Sequence, residues 1–247
     1  MAESVLAAGK AAIRRFLRPF LLIQLVAVAL VVAYHVDARV RAVCAALAAW
    51  KAAGGLPLAA ATAAFAGGVL PELAKLAAQR GRAAAGLRGR GGEIAFNMAF
   101  FALNGVLVDR LYVVSAALFG NDARVATVAA KVAFDQFVFT PPWLALVTAL
   151  YVWRRLGYSA SATLHALRRG GFLRGFVRGR IVPLLLPDWF FWIPMVTVIY
   201  AFPVPLQFLL FILALAAWGL ILVVIAGGEP AGGDTSAAGG ESATLGA

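Results

Sequence analysis

The sequence predicts an all-α integral membrane protein, a polytopic bundle of about six transmembrane helices whose C-terminal pair is kinked by proline. Three observations carry that expectation. Residues 181–228 form a run of forty-eight with one charge, Asp188, and five prolines, Pro183, Pro187, Pro194, Pro203 and Pro205. About 20 apolar residues already span the hydrocarbon core, so this run reads as two crossings joined by a tight turn. The composition, 63% hydrophobic and 13% charged, lies far from the mixture of water-soluble domains. The net charge of +11 comes from Lys and Arg placed between apolar segments rather than on one basic face. That placement points to anionic lipid headgroups at the basic loops and away from nucleic acid.

Residues 1–18 carry Lys10, Arg14, Arg15 and Arg18 at helical spacing and predict a basic amphipathic helix on the membrane surface. Helix 1 follows over 19–36, and the region after Tyr34 offers no convincing small-x-small cleavage site, so the helix is expected to stay as an anchor. Residues 37–55, with Asp37, Arg39, Arg41 and Lys51 before Gly54 and Gly55, predict a short interfacial helix and a break. From Leu56 an alanine-rich helix 2 presents small residues every fourth position, Ala59, Ala63 and Gly67 beside Ala60, Ala64 and Gly68. Such a face lets another helix backbone approach closely.

An Arg- and Gly-rich loop spans 80–92, helix 3 is predicted over 94–118 and helix 4 over 124–153. A basic loop without acids fills 154–180, helices 5 and 6 occupy the long apolar run, and the tail from 227 to 247 has the composition of a disordered segment. The domain organisation is therefore a basic segment (1–18), an added helix and linker (19–55), a membrane bundle (56–226) and the tail. Lys and Arg number four, four and seven in the segments before helix 1, in 80–92 and in 154–180, against three in 37–55 and one at Arg124. The asymmetry predicts both termini inside, most simply in a bacterial cytoplasmic membrane, with an organellar membrane as the alternative.

An ionisable group within a span is costly unless it is paired or faces a cavity. Asp109, Arg110, Lys131, Asp135 and Asp188 are therefore the candidate residues, with Thr127 and Gln136 as polar neighbours. Lys131 and Asp135 stand at i and i+4 and are expected to meet, with Arg110 as the partner from another helix. Asp109 and Arg110 are adjacent, so they are expected to point apart. Thr127, Lys131 and Asp135 recur every fourth residue and form a polar stripe. Such a set serves as an interhelical salt-bridge network, as the lining of a water-filled path, or as a proton relay. Pro141, Pro142, Pro187, Pro194, Pro203 and Pro205 are candidate kinks; the carbonyls they free either coordinate an ion or accommodate the bend.

Enzyme motifs are lacking. There is no Gly-x-Ser-x-Gly, no phosphate-binding loop and no His or Cys cluster at ligand spacing; His35, His165 and Cys44 are isolated. No catalytic role and no cofactor are predicted.

Asp135–Gln136 followed by Thr140, Pro141 and Pro142, then Trp192–Ile193–Pro194, Val204–Pro205–Leu206–Gln207 and Trp218, form a joint pattern over about 56–226. It resembles the Mpv-seventeen family, which includes the twenty-two-kilodalton peroxisomal membrane protein, and it has the look of a divergent, prokaryotic-type member. Aligned on Val204 and Pro205, the family's Gln, Asn and Arg fall at Thr197, Tyr200 and Leu209. The resemblance implies a narrow or oligomeric pore affecting small-solute permeability. The alternative is a non-conducting structural or assembly protein. Too few polar residues lie in the spans for a wide pore in one copy, so a homo-oligomer is the route to anything broader.

Overall fold

A computed structural model of the protein describes residues 2–78, 91–169 and 171–227, and the described residues are helical without a strand. The disorder expected of the tail and most of the 80–92 loop lie outside them. The elements are α1 (Ala2–Val36), α2 (Ala38–Ala63), a π-helical segment π1 (Ala64–Val69), α3 (Leu70–Ala78), α4 (Gly91–Phe119), α5 (Val125–Ala133), π2 (Phe134–Phe139), α6 (Thr140–Arg155), α7 (Ala160–Arg168), π3 (Gly171–Ile181), α8 (Val182–Tyr200) and α9 (Val204–Gly227).

Three stretches are long and apolar enough to cross a membrane: Ala38–Ala77, Gly91–Phe119 and Val125–Arg155. Phe20–Val36, Asp188–Tyr200 and Val204–Leu220 are shorter apolar helices. The burial pattern departs from that of a water-soluble domain: beside an apolar core, large apolar side chains stay exposed and several polar ones are buried. Leu22, Leu25 and Val26 on α1, Val113, Val114 and Leu118 on α4, and Phe137 and Val138 on π2 are exposed, whereas Asn104, Asp109, Lys131, Asp135, Gln136 and Gln207 are buried. Lipid tolerates an apolar exterior and leaves the interior as the place where polar groups find partners.

The sequence-predicted helices 3 and 4 correspond to α4 and to α5–π2–α6 within a few residues. Two expectations are corrected. The basic 154–180 segment is not an open loop: α7 and π3 fill most of it, α7 being capped by Ser159, whose hydroxyl accepts from the Ala162 N–H at 3.3 Å. The first helix is also longer than 19–36, one helix running from Ala2 to Val36. Its end is satisfied from outside, since the Arg41 guanidinium donates to the carbonyls of Tyr34 and His35 at 3.2 and 2.8 Å. Asp37 then caps α2 by accepting from the Arg39 N–H at 2.7 Å.

The break expected at Gly54 and Gly55 is a kink within α2, where Gly55 takes φ 54° and ψ −145°, a conformation that a side chain resists. Beyond the kink the small-residue face packs on α4. Ala59 and Ala63 are wholly buried, and a Cβ at Gly105 would stand 2.6 Å from the Ala59 carbonyl oxygen. A Cβ at Gly68 would likewise meet the Met98 backbone nitrogen at 2.9 Å. With little hydrophobic drive between helices in lipid, such close van der Waals contact is what holds them together.

On the other side α1 meets α8 through Phe20, whose ring centroid lies 4.9 and 5.9 Å from those of Phe190 and Phe191. Pro187 and Pro194 lie within α8, Pro203 stands in the turn, and Pro205 is in the first turn of α9. Gln207 fastens that turn, donating through Nε2 to the Phe202 carbonyl at 2.8 Å.

Candidate functional site: a cavity inside the helix bundle

The middle of the chain's second half is where a helix of ordinary pitch gives way to a wider one. In π2 the Thr140 N–H reaches back five residues to the Asp135 carbonyl. Pro141 has no N–H to continue that pattern to Gln136. The Gln136 carbonyl is taken instead by the Trp189 indole N–H from α8, at 3.0 Å. An unpaired carbonyl in a low-dielectric interior is thereby avoided, and the widened turn holds two polar side chains, Asp135 and Gln136, toward the bundle interior.

They line a cavity of about 460 Å³. Its walls come from π1 and α3 (Gly67, Pro71, Glu72, Lys75), α4 (Asn97, Asn104, Tyr112), π2 and α6 (Thr140, Trp143), α8 (Asp188, Trp192) and α9 (Phe211, Trp218, Gly219). Along α4 it runs from Asn97 to Tyr112, fifteen residues and so about 22 Å at 1.5 Å per residue. At the Asn97 end Lys75 Nζ lies 2.6 Å from Glu72 Oε1, and Tyr151 donates to Asn97 Oδ1 at 3.2 Å.

Asp135 and Tyr112 belong to the lining far from Asn97. Asp135 accepts from the Gln136 side-chain amide through Oδ1 and from the Tyr200 hydroxyl through Oδ2, both at 3.0 Å. Tyr112 meets Tyr200 edge to face, with ring centroids 5.5 Å apart. Lys131, 1% exposed and outside the cavity lining, has its ammonium 5.6 Å from the centre of the Tyr200 ring.

The sequence-predicted residues separate into three places. Asp135, Gln136 and Asp188 line the cavity. Lys131 is buried on α5 but makes no ion pair with Asp135: Tyr200 comes between them, binding the carboxylate by its hydroxyl and the ammonium by its ring. The expected Lys131–Asp135 pair is corrected accordingly, and Arg110 is not Asp135's partner either. Thr127 does not reach the cavity. It faces Asp122, whose carboxyl is held below the usual carboxylate range first by the Thr127 hydroxyl and then by the Arg124 N–H, 3.0 Å from Oδ1. Of the four-residue stripe only Asp135 lines the cavity, so the stripe does not form one continuous path.

Asp109 and Arg110 form the third place and do not point apart. The Arg110 guanidinium folds back so that Nη2 lies 2.5 Å from Asp109 Oδ2, while Oδ1 takes the ammonium of Lys51 from α2. Arg110 is half exposed and Asp109 only 2% so. The long arginine stem lets neighbours meet although their Cβ directions diverge.

Sequence reasoning missed Lys51 as the partner of Asp109 and Tyr200 as the partner of Asp135. Tyr200 carried one signal: it stands where the resembled family places an Asn. No family model, no curated protein and no solved structure matches this chain.

Proposed function

We propose that this protein is a multi-pass membrane protein of about six crossings that lets a small polar solute pass through the bundle by way of the cavity, with Tyr200, bonded to the lining residue Asp135, as its closed gate. The observation that carries the reading is the cavity itself: about 460 Å³, with Asn104, Asp135, Gln136 and Asp188 set among apolar and aromatic side chains, and with its Asp135 hydrogen-bonded to the Tyr200 hydroxyl. A bundle needing only mechanical strength has no use for buried polar groups around empty space, which cost stability. The Mpv-type resemblance points the same way, as does the size of the cavity, which suits one small solute at a time in one copy of the chain.

On the loop-charge asymmetry we place both termini in the cytoplasm and the protein in a bacterial cytoplasmic membrane, with its basic segments at anionic lipids. The cavity mouth, beside the end of α3 and the start of α4, then faces the cytoplasm.

A structural role is the second reading. It is favoured by the Lys51–Asp109–Arg110 cluster, where the charges are spent on each other across α2 and α4. Flux decides between the two. Purified protein in liposomes, tested by stopped-flow light scattering with urea, glycerol, choline chloride and sucrose, is expected to raise permeability to the smaller solutes and leave sucrose excluded. Permeability equal to that of empty liposomes for all of them leaves the structural role.

A further inference from the structure

We infer that the cavity is a binding site for a monovalent organic cation, an amine or quaternary ammonium, that Asp188 and Asp135 attract and the tryptophan rings enclose. The inference rests on the reading above only in taking the cavity to be reachable from water.

The charge balance of the lining comes first. Three carboxylates, Glu72, Asp135 and Asp188, face one ammonium, Lys75. Lys75 is committed to Glu72 at 2.6 Å, which leaves Asp135 and Asp188 without a cation in the cavity. Asp135 is held by two hydrogen bonds. Asp188 is half-buried and has neither a hydrogen bond nor an ion pair among the described residues. Lys131 cannot serve it, since it lies behind the Tyr200 ring and is not part of the lining.

A second, independent observation is Gln136. This side chain lines the cavity, is 2% exposed, and its Oε1 has no hydrogen-bond partner although its Nε2 is fixed on Asp135. A buried acceptor without a donor is destabilising and is satisfied by a ligand that brings an N–H or O–H. Both features ask for the same partner. Acceptors and anionic groups exclude an anion, and a cation that also carries an N–H or O–H, an amine or a hydroxyl-bearing quaternary ammonium, supplies what each lacks.

The walls choose the kind of cation. Among the described residues no cluster of three His, Cys, Asp or Glu side chains could hold a metal ion, so the carboxylates are too scattered to chelate one. Instead Trp143, Trp192 and Trp218 contribute to the lining, with Phe100 and Phe211. Aromatic faces attract a diffuse, weakly hydrated positive charge, and a soft organic cation sheds its water more readily than a metal ion. The volume of about 460 Å³ falls in the range of small-ligand sites.

The experiment is calorimetric titration of the full chain in dodecyl maltoside with choline and with 3,3-dimethyl-1-butanol, its uncharged isostere. Choline is expected to bind at least ten-fold more tightly than the isostere. Asp188→Asn should weaken choline ten-fold or more and leave the isostere unchanged, while Asp188→Glu restores choline binding. Equal affinities for the two probes, no binding of choline, or full choline affinity in a folded Asp188→Asn protein would each overturn the site. The comparison on the wild type needs no variant, so a misfolded mutant does not rescue the idea. Choline binding without flux of any solute upholds the site and removes the permeation reading. Flux of glycerol and urea by a protein that ignores choline does the reverse.

Discussion

The hydroxyl of Tyr200 donates to Oδ2 of Asp135 at 3.0 Å, joining residues sixty-five apart in the chain, while the other side of the same interaction brings the Tyr200 ring to the Lys131 ammonium. One side chain therefore stands between an acidic and a basic group, and it does so beside the cavity that Asp135 lines. Interhelical hydrogen bonds in membrane proteins are worth about 0.6 kcal/mol on average, up to about 1.7. A bond of that size is strong enough to bias a gate and weak enough to break.

Tyr200→Phe keeps the ring and deletes the bond, so it should lower stability by about 0.5–1.5 kcal/mol. Asp135→Leu removes the same bond from its other end. Stabilities of the two single variants and the double variant, measured by denaturation in mixed micelles, should show positive coupling. Strict additivity would mean that the hydroxyl and carboxylate do not act together.

Gly105→Ala should loosen the α2–α4 contact, because the added methyl lands 2.6 Å from a backbone oxygen of Ala59 that has no rotamer to escape by. Overpacking of this kind costs about 1–3 kcal/mol. Gly120→Ala is a comparison of another sort: a Cβ there meets nothing within 4 Å, and its cost comes only from the φ of 97°. A thermal shift assay should show Gly105→Ala melting lower by several degrees, with a broadened transition; an unchanged melting temperature would contradict the packing described.

Lys51→Met leaves Asp109 buried with Arg110 as its remaining cation. Breaking a buried pair costs up to about 3–5 kcal/mol, less here because Arg110 persists and is half exposed. The double variant Lys51→Met, Asp109→Leu should recover a large part of the loss. If the single and double variants give the same folded yield, the two residues do not depend on each other.

Asp122, at the entry to α5 and outside the spans, offers a pH test. Its folded pKa is depressed, so the stability it lends the first turn is full above the ordinary carboxylate range and is lost as pH falls through the lowered value. The Asp122 carboxyl resonance should titrate at lower pH than a model peptide's. In Thr127→Val it should move back upward, since the Thr127 hydroxyl is the larger cause. A value unmoved by that substitution would remove Thr127 from the turn.

Much of this bundle is legible in the sequence because membrane insertion imposes a coarse rule, long apolar helices, that composition alone reveals. The helix over Gly91–Phe119, the small-residue face from Ala59 to Gly68 and the kink at Gly55 follow from residues within a few positions of one another. The site follows from contacts that no local pattern encodes. Lys131 and Asp135 have the spacing of an ion pair, yet Tyr200 from α8 takes the place between them. The widened turn of Phe134–Phe139 leaves no compositional trace apart from the prolines that follow it. Arg110 was expected to seek a distant helix because adjacent side chains diverge, and that holds for Cβ vectors but not for a flexible stem. Basic residues in 154–180 suggested a loop; their helix-compatible neighbours, Ala160 to Leu167, form α7 instead.

The central claim is that Tyr200 closes a solute path which begins in the cavity. The most direct measurement is the conductance of planar bilayers holding wild type, Tyr200→Phe and Tyr200→Ala at matched protein-to-lipid ratios and several voltages. The account predicts rare or small openings for wild type, more for Tyr200→Phe, and at least ten-fold more current for Tyr200→Ala, with cations preferred over chloride because Asp135 and Asp188 line the approach. Silence from all three folded proteins would contradict it and leave the cavity closed at that end for structural reasons alone.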